Sequence, residues 1–202
     1  MKEYRDHYFL KAKQENYPAR SVYKLKEIDG RFKIFRKGMK VLDLGAAPGS
    51  LGAAERVGAQ GKVLACDIQS TVTVFPPNVE FHQEDVFRRS EAFERQLAET
   101  GPFHVVMSDM APQTTGTKFT DQARSLELCL EALAVAEKYL VKGGSFVVKI
   151  FMGPDVGELL KGMRPRFARV TSFKPQSSRV ESKETFFVGL GFKGKEADGA
   201  RD

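Results

Sequence analysis

Seven apolar segments recur along the chain, and turn residues such as Gly, Pro, Asn and Asp bound them. Short segments rich in Val, Ile, Leu and Phe are typical of buried or half-buried β-strands. In chain order the strand candidates are MKVLDLG, GKVLACD, NVEFHQED, FHVVMSDM, GGSFVVKIF, RVTSFKP and ETFFVGLG. Most of the intervals between them have helical periodicity.

Residues 121–139 carry the clearest helical pattern. Four side chains with helical spacing form its predicted apolar face: Leu126, Leu130, Leu133 and Ala134. Thr120 is the predicted N-cap, and Gly143-Gly144 is the predicted end of the element. The preceding loop, residues 111–122, is rich in small hydroxyl side chains and is expected to lie over a ligand site.

Strands that alternate with helices predict an α/β fold, in which helices cover both faces of a mainly parallel sheet. Only a short polar segment separates the last two strand candidates, which predicts a terminal hairpin and an antiparallel last strand in a seven-stranded sheet. Residues 1–192 are interpreted as a single domain with a basic N-terminal extension over about 1–37. Residues 193–202 are predicted to form a disordered tail.

Polar residues close several of the predicted strands. In an open parallel sheet, ligands bind beyond the carboxyl ends of the strands, so these residues are candidates for a binding site. They are Asp43 to Gly49, Cys66-Asp67, Glu84-Asp85, Ser108-Asp109 and Lys149.

The segment VLDLGAAPGS runs from a predicted strand directly into a glycine loop. The loop lacks the closely spaced glycines of a dinucleotide fingerprint and the Gly-Lys-Ser/Thr ending of a P-loop. The pattern of Asp43, Gly45 and Gly49 still permits a ligand to approach the backbone, but Pro48 removes one N–H donor. The loop therefore favours a ligand without a phosphate.

Two acids complete this predicted site. Asp67, at the end of the second strand candidate, can accept both hydroxyls of a ribose, and Asp85, at the end of the third, can accept from an adenine amine. A nucleoside with an uncharged or cationic tail fits this set, which predicts S-adenosylmethionine as the cofactor. For either acid alone, a helix N-cap or a solvated turn is the structural alternative.

The net charge of +6 is distributed unevenly. Residues 1–40 hold 12 basic and five acidic side chains, a balance of +7, and the rest of the chain holds 20 basic and 21 acidic, a balance of −1. Four tyrosines interleave with these basic residues: Tyr4, Tyr8, Tyr17 and Tyr23. Basic and aromatic side chains together suit RNA phosphates and unstacked bases, and a solvated basic face without function is the alternative.

The composition fits one compact domain, because 42% of the 202 residues are hydrophobic and 29% are charged. No apolar run is long enough for a membrane span, and the charged N-terminus is unlike a signal peptide. A soluble cytoplasmic monomer without a membrane partner is therefore expected. Cys66 and Cys129 have no metal-ligand spacing, which predicts two buried, reduced thiols and no metal site.

Four separated motifs closely resemble those of the FtsJ family of RNA 2′-O-ribose methyltransferases: VLDLGAAPGS, VVMSDMAPQTTGT, GGSFVVKIF and PQSSRVESKETFFVG. ARSVYKLKEID, ahead of the first strand, resembles the family as well, and the match is collinear from about Arg20 to Gly191. The resemblance implies a Rossmann-like methyltransferase fold with a reversed last strand. It also implies a catalytic tetrad at Lys24, Asp109, Lys149 and Glu184.

For the cofactor, the resemblance implies contacts from Gly45, Ala46, Ala47, Pro48, Gly49, Asp67, Asp85 and Asp109. The chain departs from the family pattern after the glycine loop, where Ser50-Leu51-Gly52 stands in place of a Trp and a polar residue. The segment up to the second strand is also about two residues shorter than in the family. This difference predicts a rebuilt first helical turn beside the cofactor or a weaker affinity for it.

Methyl transfer to a ribose requires ionisation of a poorly nucleophilic 2′-hydroxyl. In one interpretation the neutral amine of Lys149 accepts the proton, and the nearby ammonium of Lys24 favours that neutral form. In the rival interpretation Lys149 stays protonated and stabilises the developing alkoxide, while proximity supplies most of the rate. Asp109 and Glu184 are expected to hold both lysines in place.

The basic extension, with Lys174 and Arg179, is the candidate grip on RNA. For a short family member without an added RNA-binding domain, the resemblance implies methylation of a uridine ribose in large-subunit ribosomal RNA, within the assembled large subunit. Methylation of tRNA is the alternative inside the family. Two other classes stay open: a small-molecule or protein methyltransferase, and a non-catalytic RNA-binding factor in ribosome assembly.

Overall fold

The computed structural model describes residues 7–15, 17, 21–48, 51–178 and 182–194. The helices and strands within these ranges are α1 (His7–Gln14), α2 (Ser21–Phe32), β1 (Lys40–Leu44), α3 (Leu51–Val57), β2 (Lys62–Asp67), β3 (Val79–Gln83), α4 (Glu91–Thr100), β4 (Phe103–Ser108), α5 (Lys118–Tyr139), β5 (Leu140–Phe151), α6 (Val156–Arg166), β6 (Phe167–Phe173) and β7 (Glu184–Phe192). All seven strand candidates are therefore confirmed. Most of the predicted tail, from residue 195 onward, lies outside the described residues.

The strands form one seven-stranded sheet in the order β3-β2-β1-β4-β5-β7-β6. Neighbours among β1 to β5 pair in parallel, and β7 lies antiparallel between β5 and β6. The predicted hairpin and reversed last strand are thus confirmed. The strand order reverses between β1 and β4, and the carboxyl ends of these strands mark the expected place for a ligand.

Alternate side chains of the strands point to opposite faces of the sheet and build two hydrophobic clusters. Leu42 and Leu44 of β1 belong to the cluster beneath α4, α5 and α6, whereas Val41 belongs to the cluster beneath α2 and α3. Helices therefore cover both faces, as predicted. No helix in the described ranges combines the length and the apolar character that a membrane span requires.

Helix α5 begins earlier than the sequence predicted. Its first residue is Lys118, and Thr117 rather than Thr120 occupies the N-cap position, without a capping bond from its side chain. Asp121 instead accepts from the backbone N and the Oγ1 of Thr115, at 2.8 and 2.9 Å. This carboxylate ties the first turn of the helix to the loop before it, which sequence patterns did not reveal.

The end of α5 also differs from the prediction. The helix ends at Tyr139 and β5 follows at once, so Gly143-Gly144 lies inside a strand. The β4–β5 register shifts at this place, and Gly143 has a φ of +83°. A Cβ at Gly144 would lie 3.0 Å from the carbonyl oxygen of His104. The two glycines therefore accommodate a strand irregularity rather than a helix C-terminus.

The predicted apolar face of α5 is correct in part. Leu126 and Leu133 are buried, whereas Leu130 and Ala134 are exposed. The buried face consists of Asp121, Ser125, Leu126, Cys129, Ala132, Leu133, Val135, Ala136 and Tyr139. Its small side chains let the helix lie close to the sheet, so the packed face follows shape rather than the positions of the largest apolar residues.

The tyrosines of the N-terminal extension pack against the protein. The buried Tyr23 donates from its hydroxyl to Glu15 at 2.8 Å, and the Tyr17 hydroxyl donates to Glu55 of α3 at 2.8 Å. The buried Tyr23 is therefore not available to stack on bases, whereas the stacking role suggested for the half-buried Tyr17 stays a prediction. Tyr4 and the side chain of Tyr8 lie outside what the structure describes.

Candidate active site

The glycine loop joins β1 to α3 at the carboxyl edge of the sheet. The backbone N–H groups of Gly45 and Ala46 both donate to the carbonyl oxygen of Cys66, at 2.8 and 3.0 Å, which docks the loop onto the end of β2. Gly45 has a φ of +78°, and a Cβ there would lie 2.7 Å from the backbone N of Met110. Both conformation and the close approach of the segment after β4 therefore require glycine at this position.

A cleft of about 560 Å³ opens beside this loop, within the range of roughly 300–1,000 Å³ that small-molecule sites occupy. Its charged and polar lining includes Asp67, Gln69, Glu84, Asp85, Asp109, Gln113 and Arg124. Its apolar lining includes Ile68, Val86, Phe87, Met110, Pro112 and Leu128. Carboxylates that can accept from hydroxyls and amines, beside apolar side chains that can cover a base, fit a nucleoside.

Asp67 and Asp85 both line this cleft and both hold local turns. The two Asp67 oxygens accept from the backbone N of Ala47 at 2.9 Å and of Gln69 at 2.8 Å. Asp85 Oδ1 accepts from the backbone N of Phe87 at 2.9 Å. Each carboxylate oxygen can accept a second hydrogen bond. The turn-holding role and a ligand-binding role are therefore compatible.

Two of the described loop residues named for the cofactor, Ala46 and Pro48, do not line this cleft. Ala46 is buried in the cluster beneath the loop, and the Pro48 carbonyl accepts from the hydroxyls of Thr71 and Thr73. Gly49 lies outside the described residues. The rebuilt turn predicted for 50–52 is described only from Leu51, where α3 begins.

The first pair of tetrad residues lies at the ends of β4 and β5. Lys149 Nζ donates to the backbone carbonyl of Asp109 at 2.6 Å and forms an ion pair with its Oδ1 at 2.9 Å. The backbone N of Asp109 donates to the carbonyl of Leu44 at 3.0 Å. This bond extends the β1–β4 pairing, so Asp109 lies directly beside the glycine loop.

The second pair joins α2 to the first residue of β7. Lys24 Nζ forms a salt bridge with Glu184 Oε1, and the Ser178 hydroxyl donates to the same oxygen at 3.0 Å. Burial raises the pKa of Glu184, but the hydrogen bond and charge of Lys24, the charge of Lys149 and the Ser178 hydroxyl outweigh it and hold this pKa below its ordinary value. Glu184 is therefore an anion at neutral pH.

Antiparallel pairing explains why residues far apart in sequence meet here. Glu184 begins β7 opposite Phe151 near the end of β5, so its side chain lies at the same edge of the sheet as Lys149. Lys24 and Asp109 line a small cavity of about 60 Å³ that shares Gly45 and Ala47 with the larger cleft. The tetrad thus lies next to the cleft, with two positive and two negative groups.

Sequence reasoning missed several residues of this site. Ser178 was not assigned, although it belongs to the PQSSRVESKETFFVG motif. Ile68 and Phe87 line the cleft as exposed apolar residues, and their position just after Asp67 and Asp85 was the available signal. Cys66 lines the cleft too, and burial together with Asp43 and Asp67 raises the pKa of its thiol to about 12, so it is an un-ionised thiol.

The strand order and the site at the β1–β4 switch define a Rossmann-like methyltransferase fold. Residues 17–192 match the model of the FtsJ-like methyltransferase family, and the chain belongs to that family.

Relatives and solved structures agree with this assignment. A protein of Nitratidesulfovibrio vulgaris named ribosomal RNA large subunit methyltransferase E is 76% identical over all of both chains. A protein of the same name from Bdellovibrio bacteriovorus is 53% identical over 94% of this chain and 97% of its own. The crystal structure of a ribosomal RNA methyltransferase from Plasmodium falciparum is 26% identical, with a TM-score of 0.77 over 89% of this chain and 100% of its own.

Proposed function

We propose that this chain transfers the methyl group of S-adenosylmethionine to the ribose 2′-hydroxyl of a uridine in large-subunit ribosomal RNA. The observation that carries the proposal is the meeting of Lys24, Asp109, Lys149 and Glu184 beside a cleft that fits a nucleoside. The names of the relatives support the substrate class. In this proposal the chain acts as a cytoplasmic monomer on the assembled large subunit.

The lining of the cleft supports S-adenosylmethionine as the cofactor. Gly45 and Ala47 would receive its tail along the backbone, Asp67 would accept from the ribose hydroxyls, and Asp85 from the adenine amine. Ile68 and Phe87 would cover the base. When bound, the cofactor supplies a methyl group that its sulfonium charge has already activated.

The contacts of Lys149 give it a defined direction. Lys149 Nζ donates a hydrogen bond to the backbone carbonyl of Asp109 and forms an ion pair with the Asp109 carboxylate. The other tetrahedral positions of Nζ carry N–H groups in the ammonium and include a lone pair in the neutral amine. Either form can direct one of these positions at a hydroxyl placed beside it. We propose that the lone pair accepts the 2′-hydroxyl proton.

The remaining tetrad members support this role. Glu184 forms a salt bridge with Lys24 and keeps its side chain in place. The carboxylate of Asp109 holds Lys149 and, beside the glycine loop, favours a positively charged ligand group. In this proposal Lys149 accepts the proton and Asp109 orients it. The two lysines and two carboxylates together form a cluster with little net charge.

The RNA grip is proposed for exposed basic residues of the N-terminal extension and of the β6–β7 connection. Among the described residues these are Arg31, Lys33, Arg36, Lys37 and Lys174. Cationic side chains attract RNA phosphates without regard to sequence. Arg179, named for the same role, lies outside the described residues.

Transfer of a labelled methyl group tests the proposal. Free ribosomal RNA, large subunits from cells that lack the modification, and bulk tRNA are compared as substrates, with Lys149→Ala as the control variant. The proposal expects label in large-subunit RNA with the unmodified chain and none with the variant. Label in tRNA alone would show that tRNA is the substrate instead. If no RNA is labelled and the cofactor does not bind, the result would favour a non-catalytic RNA-binding protein.

A further inference from the structure

Glu27 of α2 binds a distant part of the chain. Its Oε2 accepts from the backbone N of Gln176 at 2.6 Å, and its Oε1 accepts from the backbone N of Ser177 at 2.9 Å. One carboxylate therefore receives the N–H groups of two successive residues in the β6–β7 connection, residues 174–183. Charge-assisted bonds of this kind are stronger than bonds between neutral groups.

The next residue of this connection contacts the tetrad. The Ser178 backbone N donates to the carbonyl of Pro175 at 3.1 Å, so residues 175–178 form a turn. The Ser178 hydroxyl then donates to Glu184 Oε1, the oxygen that also pairs with Lys24. Ser177 and Ser178 are only 1% and 8% exposed, so the turn that Glu27 holds is seated against the protein.

Lys24 and Glu27 lie one helical turn apart on the same side of α2. These contacts connect Glu27 with Lys24 by a second route besides helix α2. Glu27 binds the 175–178 turn, Ser178 of this turn binds Glu184, and Glu184 pairs with Lys24. A long lysine side chain keeps one geometry only when its partner is itself fixed, and misplacement by about 1 Å at a reacting centre costs about a hundredfold in rate.

We propose that Glu27 is a positioning residue for methyl transfer: it clamps the 175–178 turn to α2 and thereby holds the Ser178–Glu184–Lys24 arrangement. This inference rests on the proposed function. Glu27 lines neither the cleft nor the small cavity, so its effect acts through the tetrad and not through cofactor binding.

A double-mutant cycle tests the clamp with purified full-length chain. Glu27→Gln, Ser178→Ala and the double variant are compared in kcat for RNA methylation, in KM for RNA and in the Kd for S-adenosylmethionine. Each single variant is expected to lower kcat about tenfold, with the Kd for the cofactor within about twofold of the unmodified chain. The double variant is expected to lose little more than one single variant, because both act on Glu184 along one path.

Glu80→Gln is the matched control. Glu80 on β3 is also a partly buried, hydrogen-bonded carboxylate, but it pairs with Lys62 and His82 at the far edge of the sheet. This variant is expected to change stability without changing kcat. If Glu27→Gln does not fold, Glu27→Asp replaces it in the cycle. Glu27→Asp keeps the negative charge, but its side chain is one methylene shorter, so the carboxylate lies farther from the 175–178 turn.

Two results would overturn the clamp: a kcat of the folded Glu27 variant within about twofold of the unmodified chain, or losses that multiply to about a hundredfold in the double variant. Activity of the unmodified chain is a separate measurement that reports on the proposed function. A failure of the clamp and a failure of the function are therefore distinguishable.

Discussion

Asp109 orients the side-chain amino group of Lys149. Asp109 binds it through both backbone and carboxylate, and Asp109 is itself fixed by a backbone bond to Leu44 at the end of β1. The orientation of the proposed base thus derives from the pairing of three adjacent strands. Geometry of this kind is rigid, because strand pairing leaves the backbone little freedom.

Replacement of Lys149 by Arg separates the two interpretations of its role. Arginine stays charged at any pH used for the assay, so it can stabilise an alkoxide but cannot accept a proton. If Lys149 is the base, Lys149→Arg and Lys149→Ala should each lower kcat by about a hundredfold or more. Steady-state kinetics with ribosomal RNA measure this, and an Arg variant that keeps activity within about tenfold of the unmodified chain would favour the electrostatic role.

Asp67 provides the corresponding test of the cofactor site. Asp67→Asn removes the negative charge and one of two acceptors, while the amide oxygen can keep the bond from the Ala47 backbone. We expect the Kd for S-adenosylmethionine to rise about tenfold by calorimetry. RNA affinity should not change, and Glu80→Gln again serves as the control. An unchanged cofactor affinity would remove Asp67 from the proposed site.

The site residues could be proposed from the sequence because the motifs that contain them are contiguous strings, most of them at strand ends. Their catalytic and cofactor-binding roles stay predictions. Glu27 could not be proposed from the sequence, since it contacts Gln176 and Ser177, which lie about 150 positions away. Ser178 was not assigned either, although its partner Glu184 is only six residues away. Ala46, assigned to the cofactor, has a buried side chain and lines the small cavity but not the cleft, and its contact with the cofactor stays a prediction. A motif identifies a loop, whereas only the packed structure shows which of its side chains face the ligand.

At the scale of elements, α4 and α5 are joined through one carboxylate. Glu94 of α4 accepts from Lys138 Nζ at 2.7 Å, from the Tyr139 hydroxyl at 2.6 Å and from Arg89 Nε at 2.5 Å. Hydrogen bonds from Lys138, Tyr139 and Arg89 lower the pKa of Glu94 to about 2. The anion is therefore stabilised in the folded protein relative to the unfolded chain.

This lowered pKa sets the sign of a pH effect. A depressed pKa contributes stability that is complete above the unfolded value of 4.5 and is lost as pH falls towards about 2. Glu94→Gln should lower the free energy of unfolding by about 1–2 kcal/mol at neutral pH, allowing for partial solvent screening. The difference from the unmodified chain should shrink below about pH 4 in urea unfolding. A difference that is constant with pH would contradict this account.

The boundaries of α5 and β5 show where periodicity reaches its limit. A glycine pair after a helical pattern usually marks a C-cap, but here the helix has already ended at Tyr139 and the pair lies at an irregularity in β5. The exposed Leu130 likewise follows the helical spacing without belonging to the packed face. The local sequence thus indicates whether a segment is a helix or a strand. Its ends and its buried face depend on tertiary contacts.

For the whole molecule, the sheet was predictable because the seven apolar segments mostly alternate with helices. Within the described residues, only the β2–β3 and β6–β7 connections contain no helix. That β7 inserts between β5 and β6 follows from pairing over long distances, which no local pattern encodes. This insertion is also what carries Glu184 to the edge where Lys149 lies. The topology of the sheet thus brings the proposed catalytic residues Lys149 and Glu184 to the same edge.

The basic surface makes a prediction about the whole molecule and its RNA. Lys33→Asn with Arg36→Gln removes two exposed cations, and asparagine suits the φ of +55° at Lys33. The slope of log affinity for ribosomal RNA against log salt should fall by roughly 1.5 to 2. Lys161→Gln with Arg164→Gln, which removes two exposed cations of α6, should leave it unchanged. Equal effects of both pairs would refute a specific basic grip.

The position of the transferred methyl group on the RNA distinguishes methylation of a ribose from methylation of a base. Large-subunit RNA labelled by this chain is hydrolysed in alkali, which cleaves the strand only beside a free 2′-hydroxyl. The account predicts that the label remains in an alkali-resistant dinucleotide with a 2′-O-methyluridine, and that Lys149→Ala produces none. Label in mononucleotides, which would report methylation of a base, would contradict it.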